Sequence, residues 1–299
     1  MTSARRFRSG FIAVVGRPNT GKSTLVNALV GQKISIVTDK PQTTRGRIRG
    51  VLTTDDYQIV FTDTPGFHKP RTLLGERLNR MVEEESEGTD AVLLVVDGAA
   101  GVGRGDEFVA QHRVARLSSP KVCVLNKIDA ISKGAVLAQL EAASRLTSFD
   151  EIVPVSARTG ENLGELLDVL VSLMPEGEPM YEPGQVTDQP VEFRVAEIVR
   201  EKVLELTREE VPHSVAVQIE EMERDEERDL VRISCVILVE RESQKGIVIG
   251  RGGQMLKTVG TRARHELELI LGSRVFLDLR VKVLREWQRD PAALTRLGY

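Results

Sequence analysis

The chain has 299 residues, 41% hydrophobic and 28% charged, with a net charge of −3. That length and composition fit a globular protein of about two domains. No apolar run approaches the roughly 20 residues of a membrane span, so a soluble protein is expected.

Taken in chain order, the basic start MTSARRFRSG leads into an apolar run that stops at Gly16. It reads as a first strand and not as a signal peptide. FIAVV (11–15), QIVFTD (58–63), AVLLVVD (91–97), KVCVLN (121–126) and EIVPVS (151–156) read as short buried strands. Helical stretches such as KSTLVNALV and ENLGELLDVLVSLM lie between them. The alternation predicts an α/β domain over 1–175: a mostly parallel sheet with helices on both faces. IRGVLTT (48–54) is close enough to QIVFTD to form an antiparallel hairpin at one edge. Four prolines and two glycines in 174–190 predict a linker over 176–190. A second, α+β domain is expected over 191–299. It reads helix (194–208), strand (214–221), strand (230–240), short helix, glycine loop, helix (252–271) and strand (275–283).

Two features set expectations about chemistry before any motif is considered. Cys123 and Cys235 lie in apolar strand-like runs and read as buried thiols of a reducing compartment. The histidines (His68, His112, His213, His265) have no ligand spacing, so no zinc site is expected. Charge is unevenly spread. Residues 191–240 carry 7 Lys and Arg against 14 Asp and Glu, whereas 241–299 carry 12 against 6. A basic half can attract polyanions, although a charged surface is commonly just a solvated one.

The strongest motif is Gly16-Arg17-Pro18-Asn19-Thr20-Gly21-Lys22-Ser23, followed by Thr24. It fits G-x-x-x-x-G-K-[ST] between a strand and a helix, the setting the motif requires. The glycines let backbone N–H groups curl around phosphate, and the helix N-terminus favours the anion. Lys22 should reach the β- and γ-phosphates and Ser23 should ligate Mg2+. Asp63-Thr64-Pro65-Gly66 ends a strand: its carboxylate can hold Mg2+ through water, and the Gly66 N–H can sense the γ-phosphate. Asn126-Lys127-Ile128-Asp129 ends another. A carboxylate there accepts from N1–H and N2–H2 of guanine, a donor pair adenine lacks. Lys127 can lie along the base, and a backbone N–H of Ser156-Ala157-Arg158 can meet guanine O6. Thr43 or Thr44, in PQTTRGRIRG, can close on Mg2+ and the γ-phosphate; Thr44 is carried forward as the metal candidate. This ordered set predicts a P-loop GTPase switch domain that binds GTP and GDP.

Phe67 stands where Ras-like GTPases place a water-orienting glutamine. Phenylalanine cannot hydrogen-bond to water, so hydrolysis should be slow without a partner unless another group substitutes. Asn19 has two readings, a turn residue or a ligand for K+ near the β/γ bridge. The candidate catalytic set is Lys22, Thr44, Gly66 and Asn19.

The second glycine loop, Gly250-Arg251-Gly252-Gly253, lacks the G-K-[ST] ending and joins two helices. A GXXG loop between helices is the backbone clamp of KH modules, which grip about four nucleotides. With the α-β-β-α-α-β order and the local basic charge it predicts a type II KH domain. Lys245 and Arg251 supply charge, and Ile247, Val248 and Ile249 are expected as an apolar floor for bases.

These stretches, together with GRPNTGKSTLVNALVGQKISIV, KPQTTR, DTPGFHKPR, NKID, VPVSARTG, ILVERESQKGIVIGRGG and WQRDPAALTRLGY, resemble the Era family of bacterial GTPases over nearly the whole chain. The resemblance implies binding to the single-stranded 3′ end of small-subunit (16S) ribosomal RNA and a role in maturation of the small ribosomal subunit. It also implies a monomeric cytoplasmic protein loosely associated with the inner membrane. GAAGVGRGDE (98–107) departs from the family pattern, with no functional consequence assigned. Two other readings are a membrane-surface GTPase whose basic C-terminal half binds anionic lipid, and a second domain that docks protein only.

Overall fold

The computed structural model describes residues 6–40, 42–67, 69–208 and 211–299; Pro41 of the PQTTR stretch and His68 lie outside them. The chain divides into two compact units, one of 1–35, 44–70 and 75–188, the other of 36–43, 71–74 and 189–299.

In the first unit the strands are β1 (Arg8–Val15), β2 (Ile48–Thr53), β3 (Tyr57–Asp63), β4 (Ala91–Asp97), β5 (Lys121–Asn126) and β6 (Glu151–Pro154). They form one sheet in the order β2-β3-β1-β4-β5-β6. Only β2 runs antiparallel to its neighbour, as the hairpin reading expects. The helices are α1 (Lys22–Val30), α2 (Leu73–Ser86), α3 (Arg104–His112), α4 (Lys133–Ser144) and α5 (Leu163–Leu173).

Strand β4 shows why the sheet needs helices on both faces. Leu93 and Val95 join a core with Leu25, Val26, Leu166 and Leu170 of α1 and α5. Val92, Leu94 and Val96 join another with Val109, Ala110 and Ala143 of α3 and α4. Side chains alternate across a strand, so an unbroken apolar run must be covered twice. Cys123 is buried in the second of these cores as a free thiol.

Residues 176–188 do not behave as a free linker. Gln58, fully buried, accepts from Met180 N (2.7 Å) and Tyr181 N (2.9 Å) and donates to Tyr181 O (2.9 Å). Val51 N on edge strand β2 donates to Val186 O at 2.8 Å. An edge strand presents unpaired N–H groups, and this segment satisfies one of them. The boundary between units therefore falls at 188/189.

The second unit contains α6 (Val191–Leu206), α7 (Val211–Ser214), β7 (Ala216–Asp225), β8 (Leu230–Val239), α8 (Glu242–Ile249), α9 (Gln254–Leu271), β9 (Arg274–Val283) and α10 (Pro291–Arg296). Its sheet runs β7-β8-β9, with β7/β8 antiparallel and β8/β9 parallel. Val259, Ala263 and Leu267, spaced by four on α9, pack with Val195, Val199 and Val203 of α6 and Ile233, Cys235 and Ile237 of β8. That spacing places each set on one helix face. Helix α9 starts two residues later than its pattern suggests, because Gly252 (φ 58°) and Gly253 (φ 77°) are left-handed. Residues 36–43 belong to this unit. Val37 N donates to Glu201 Oε1 (2.9 Å), and the buried Arg200, paired with Glu197, donates to Thr43 O.

Candidate functional site

The first site lies at the C-terminal ends of β1, β3, β4 and β5, where open parallel sheets place their ligands. β1 ends at Val15 and α1 begins at Lys22, so the phosphate loop is the bare turn between them. Its glycines are required by position. Gly16 has φ 152°, and a Cβ there would sit 2.5 Å from Val95 O; Gly21 has φ 91°, and its Cβ would collide with Asn126. Asn19 is left-handed at φ 65°. Thr20 Oγ1 donates to Arg17 O at 3.1 Å, closing the turn. Lys22 folds back under the loop, donating to Gly16 O (3.2 Å) and Arg17 O (2.8 Å). Gly66 lies against Pro18, which a Cβ would approach to 2.6 Å, and Phe67 N donates to Gly16 O at 3.1 Å. The Asp63-Thr64-Pro65-Gly66 stretch thus touches the phosphate loop directly.

Ser23 Oγ lies 3.0 Å from Thr44 Oγ1, which donates to Asp63 Oδ2 at 3.3 Å. Thr43 is engaged elsewhere, with Thr38 Oγ1 (2.7 Å) and Lys40 O (2.7 Å). Of the two threonines, the geometry favours Thr44. Asp63 is fully buried and its Oδ1 has no hydrogen-bond partner. Burial pushes this carboxyl up, while Ser23, the Lys22 charge, Ser35 and Thr44 pull it down. A buried carboxylate oxygen without a donor, beside two hydroxyls, is an all-oxygen set that fits Mg2+ and its waters.

At the base end, Asn126 works as a staple. Its Nδ2 donates to Thr20 O (3.0 Å), and its Oδ1 accepts from Lys127 N (2.8 Å) and Ala157 N (3.0 Å). Of the Ser156-Ala157-Arg158 backbone N–H groups, one of which was expected at guanine O6, that of Ala157 is directed at Asn126 here and that of Ser156 donates to Glu161 O (3.1 Å). Lys127, left-handed at φ 66°, extends over the loop to Asn19 O (2.7 Å) and Asp97 Oδ2 (2.6 Å). Asp129 accepts from Ser156 Oγ at 2.6 Å and pairs with Arg158. These donors hold its carboxyl below the usual range, Ser156 contributing most. An ionised acceptor pair is what guanine N1–H and N2–H2 require. Asp129→Asn should accordingly move base preference from GTP toward XTP, and full retention of GTP preference in a competition assay would refute that role.

Several residues expected to touch nucleotide have buried side chains. Thr64 is fully buried and donates to Val14 O (2.7 Å); Ile128 lies in the core. Phe67 is 6% exposed, packed with Val15 and Val82, stacked on Phe108 and covered by the Arg113 guanidinium. The ring is committed to this packing, and a phenyl group carries no donor or acceptor for water. Phe67→Ala should keep much of the basal hydrolysis rate; a collapse at unchanged nucleotide affinity would place the ring in the catalytic arrangement.

Sequence reasoning missed Asp97, Asp106 and Ser35. Asp97 ends its strand as Asp63 does, a signal that was available. Asp106 is buried and holds Arg17 of the phosphate loop at 2.8 Å, so the unusual stretch 98–107 supports that loop. No local motif announces it.

In the second unit, α8 ends at Ile249 and the Gly250–Gly253 loop turns into α9. Gly250 (φ 73°) lies so close to Met255 that a Cβ would come within 2.6 Å, whereas Gly252 and Gly253 face open space. Arg251 and Ile247 are exposed, and Lys245 and Ile249 half-buried. Val248 corrects an expectation: it is fully buried in the core and cannot touch RNA. On a helix, residues one apart point in different directions, so three consecutive apolar residues cannot all face one groove. A cleft of about 440 Å³ instead runs beside the loop, lined by Gly253, Leu256, Lys257 and Gly260 together with Leu277 and Leu279 of β9. Among the described residues no helix is long and apolar enough to cross a membrane.

Fold and sites together define a P-loop GTPase carrying a KH domain. A family model described as 50S ribosome-binding GTPase matches residues 11–127, and a KH domain model matches 210–288. GTPase Era of Mycolicibacterium smegmatis is 50% identical over 296 residues, covering 98% of this chain and 99% of that protein. The same protein of Mycobacterium tuberculosis is 49% identical over 297 residues, with the same coverage. Among solved structures, Era in complex with MgGDPNP and nucleotides 1506–1542 of 16S ribosomal RNA superimposes with a TM-score of 0.95. It is 42% identical and covers 98% of this chain and 99% of its own. A tyrosine-to-alanine variant of Aquifex aeolicus Era bound to GDP and aluminium fluoride matches equally. The chain belongs to the GTPase Era family.

Proposed function

We propose that this protein is a Mg2+-dependent GTP switch that grips the single-stranded 3′ end of small-subunit (16S) ribosomal RNA in its KH cleft and assists small-subunit maturation. The observation that carries the reading is one chain bearing both a phosphate loop with Ser23, Thr44 and Asp63 converging beside it and a GXXG loop beside a cleft. The related structure with 16S RNA and MgGDPNP supports the choice of ligands. Ser23 and Thr44 would hold Mg2+ through their hydroxyls and Asp63 through water. When bound, Mg2+ neutralises charge on the β- and γ-phosphates. Lys22 meets the same charge, and the N–H groups of the loop orient the phosphates. With Phe67 turned into the core, hydrolysis is slow until a partner supplies what is lacking.

Thr44 directly follows Thr43, whose carbonyl accepts from Arg200 of the second unit. Ordering Thr44 on a GTP-bound metal therefore bears on that unit through one peptide bond, a route by which nucleotide changes RNA affinity. The test is a pair of titrations: RNA affinity with GDP or a non-hydrolysable GTP analogue, and nucleotide affinity with or without RNA. By linkage the two ratios must agree. Equal RNA affinity in both nucleotide states would leave two binding domains and no switch.

K+ at Asn19 is a further element of this reading, supported by an asparagine at a left-handed turn of the phosphate loop; a rate indifferent to exchange of K+ for Na+ would remove it. A monomeric, cytoplasmic protein with loose inner-membrane association follows from the family resemblance, and liposome flotation tests the last of these.

A further inference from the structure

The segment that runs from the end of β4 into α3 carries two buried aspartates, and each holds one side of the phosphate loop. Asp106 is 1% exposed; its Oδ1 accepts from Arg17 Nε (2.8 Å) and its Oδ2 from Gly103 N (3.0 Å). A Cβ at Gly105 would collide with the Arg17 side chain, so this glycine of α3 makes room for the pair. Asp97, 8% exposed, acts through Lys127. Its Oδ2 accepts from Lys127 Nζ (2.6 Å), and the same ammonium donates to Asn19 O (2.7 Å). Asp97 Oδ1 accepts from Ala99 N (2.9 Å) and Ala100 N (3.0 Å), which fixes the carboxylate in place. Hydrogen bonds between charged groups at these lengths are the strong ones. Between the two gripped residues, Arg17 and Asn19, lies Pro18. Its ring fixes φ, and its neighbours are tied on both sides, so little freedom is left to it. Pro18 is also the surface on which Gly66 rests: a Cβ on Gly66 would come within 2.6 Å of Pro18 N and Cα. Gly66 is the candidate for the γ-phosphate, the one group that GTP has and GDP lacks.

We infer that Asp106 and Asp97 are positioning residues that favour GTP over GDP: they hold Pro18 from both sides, and Pro18 sets where the Gly66 N–H meets the γ-phosphate. Both carboxylates act at one remove, Asp106 through Arg17 and Asp97 through Lys127. The inference rests on the GTP-switch reading proposed above. A hydrogen bond to the γ-phosphate needs its donor held in place before the ligand arrives, because freedom in the donor is lost on binding and weakens it.

The experiment titrates the full chain, in Mg2+, with fluorescent GDP and with a fluorescent non-hydrolysable GTP analogue. For Asp106→Asn, affinity for the analogue should fall about fivefold or more, and affinity for GDP about twofold or less. Asp97→Asn, which keeps an oxygen for Ala99 N and Ala100 N, should move the ratio in the same direction; contacts to guanine are common to both ligands and cancel in it. Adding Arg17→Gln to Asp106→Asn should change the ratio little, because the two side chains form one grip. Gly66→Ala, whose methyl would push against Pro18, is the control for the γ-phosphate reading and should lose the analogue selectively. An unchanged ratio in Asp106→Asn and Asp97→Asn, with Gly66→Ala selective, overturns the inference and leaves the switch reading standing. An equal loss for both nucleotides also overturns it, marking the two aspartates as plain structural support of the loop. An unchanged ratio in every variant, Gly66→Ala included, overturns the γ-phosphate reading of Gly66 and the inference with it.

Discussion

Lys22→Ala should reduce GTP turnover by at least 100-fold, about 2.7 kcal/mol, with the circular dichroism spectrum unchanged. Removing a preorganised group aimed at developing charge costs on the order of 100- to 1000-fold. Lys22 is preorganised: it is 6% exposed and held by the carbonyls of Gly16 and Arg17. Burial lowers its pKa to about 8, and the Asp63 charge only partly opposes the shift. The sign gives a second observable. The folded protein without nucleotide loses this cation as pH rises through about 8, so phosphate binding should weaken there in the wild type. The alanine variant has no such group and should show no corresponding inflection. Undiminished turnover in Lys22→Ala would remove Lys22 from the mechanism.

Gly253→Asp should lower affinity for single-stranded RNA by at least tenfold, about 1.4 kcal/mol, leaving GTP binding intact. The site suits the test because a Cβ at Gly253 meets nothing, and aspartate is among the residues that tolerate the left-handed region. The substitution adds a negative charge beside the cleft without a collision, and Gly253→Asn, which carries the same left-handed backbone strain but no charge, separates the two effects. Gly250 would be a poorer choice, since a side chain there collides with Met255 and perturbs the turn itself. Arg251→Ala should have a smaller effect and flatten the salt dependence by about 0.7 in log–log slope for a single strand. RNA affinity unchanged in Gly253→Asp, measured by filter binding, would take the loop out of the RNA site.

The α/β order, the strand ends bearing Asp63 and Asn126, the left-handed glycine loop and the KH order were all legible in local pattern. Each depends on residues close in sequence: a strand–turn–helix forces glycine at Gly16 and Gly21, and β-branched runs such as AVLLVVD must be buried on both faces. What the sequence by itself determined is therefore the element order, the class of each loop and the phosphate and base motifs, because backbone geometry and side-chain period are local properties. Tertiary structure alone decided which groups meet across distance. It chose Thr44 over Thr43 for Asp63, directed Asp106 to Arg17 and Asn126 to Thr20, turned Phe67 and Val248 into the core, and bound 176–188 to the sheet through Gln58 and Val51. Those pairings join residues 19 to more than 100 positions apart, and they exist because packing brings the ends of separate strands to one edge, which no window of neighbouring residues encodes.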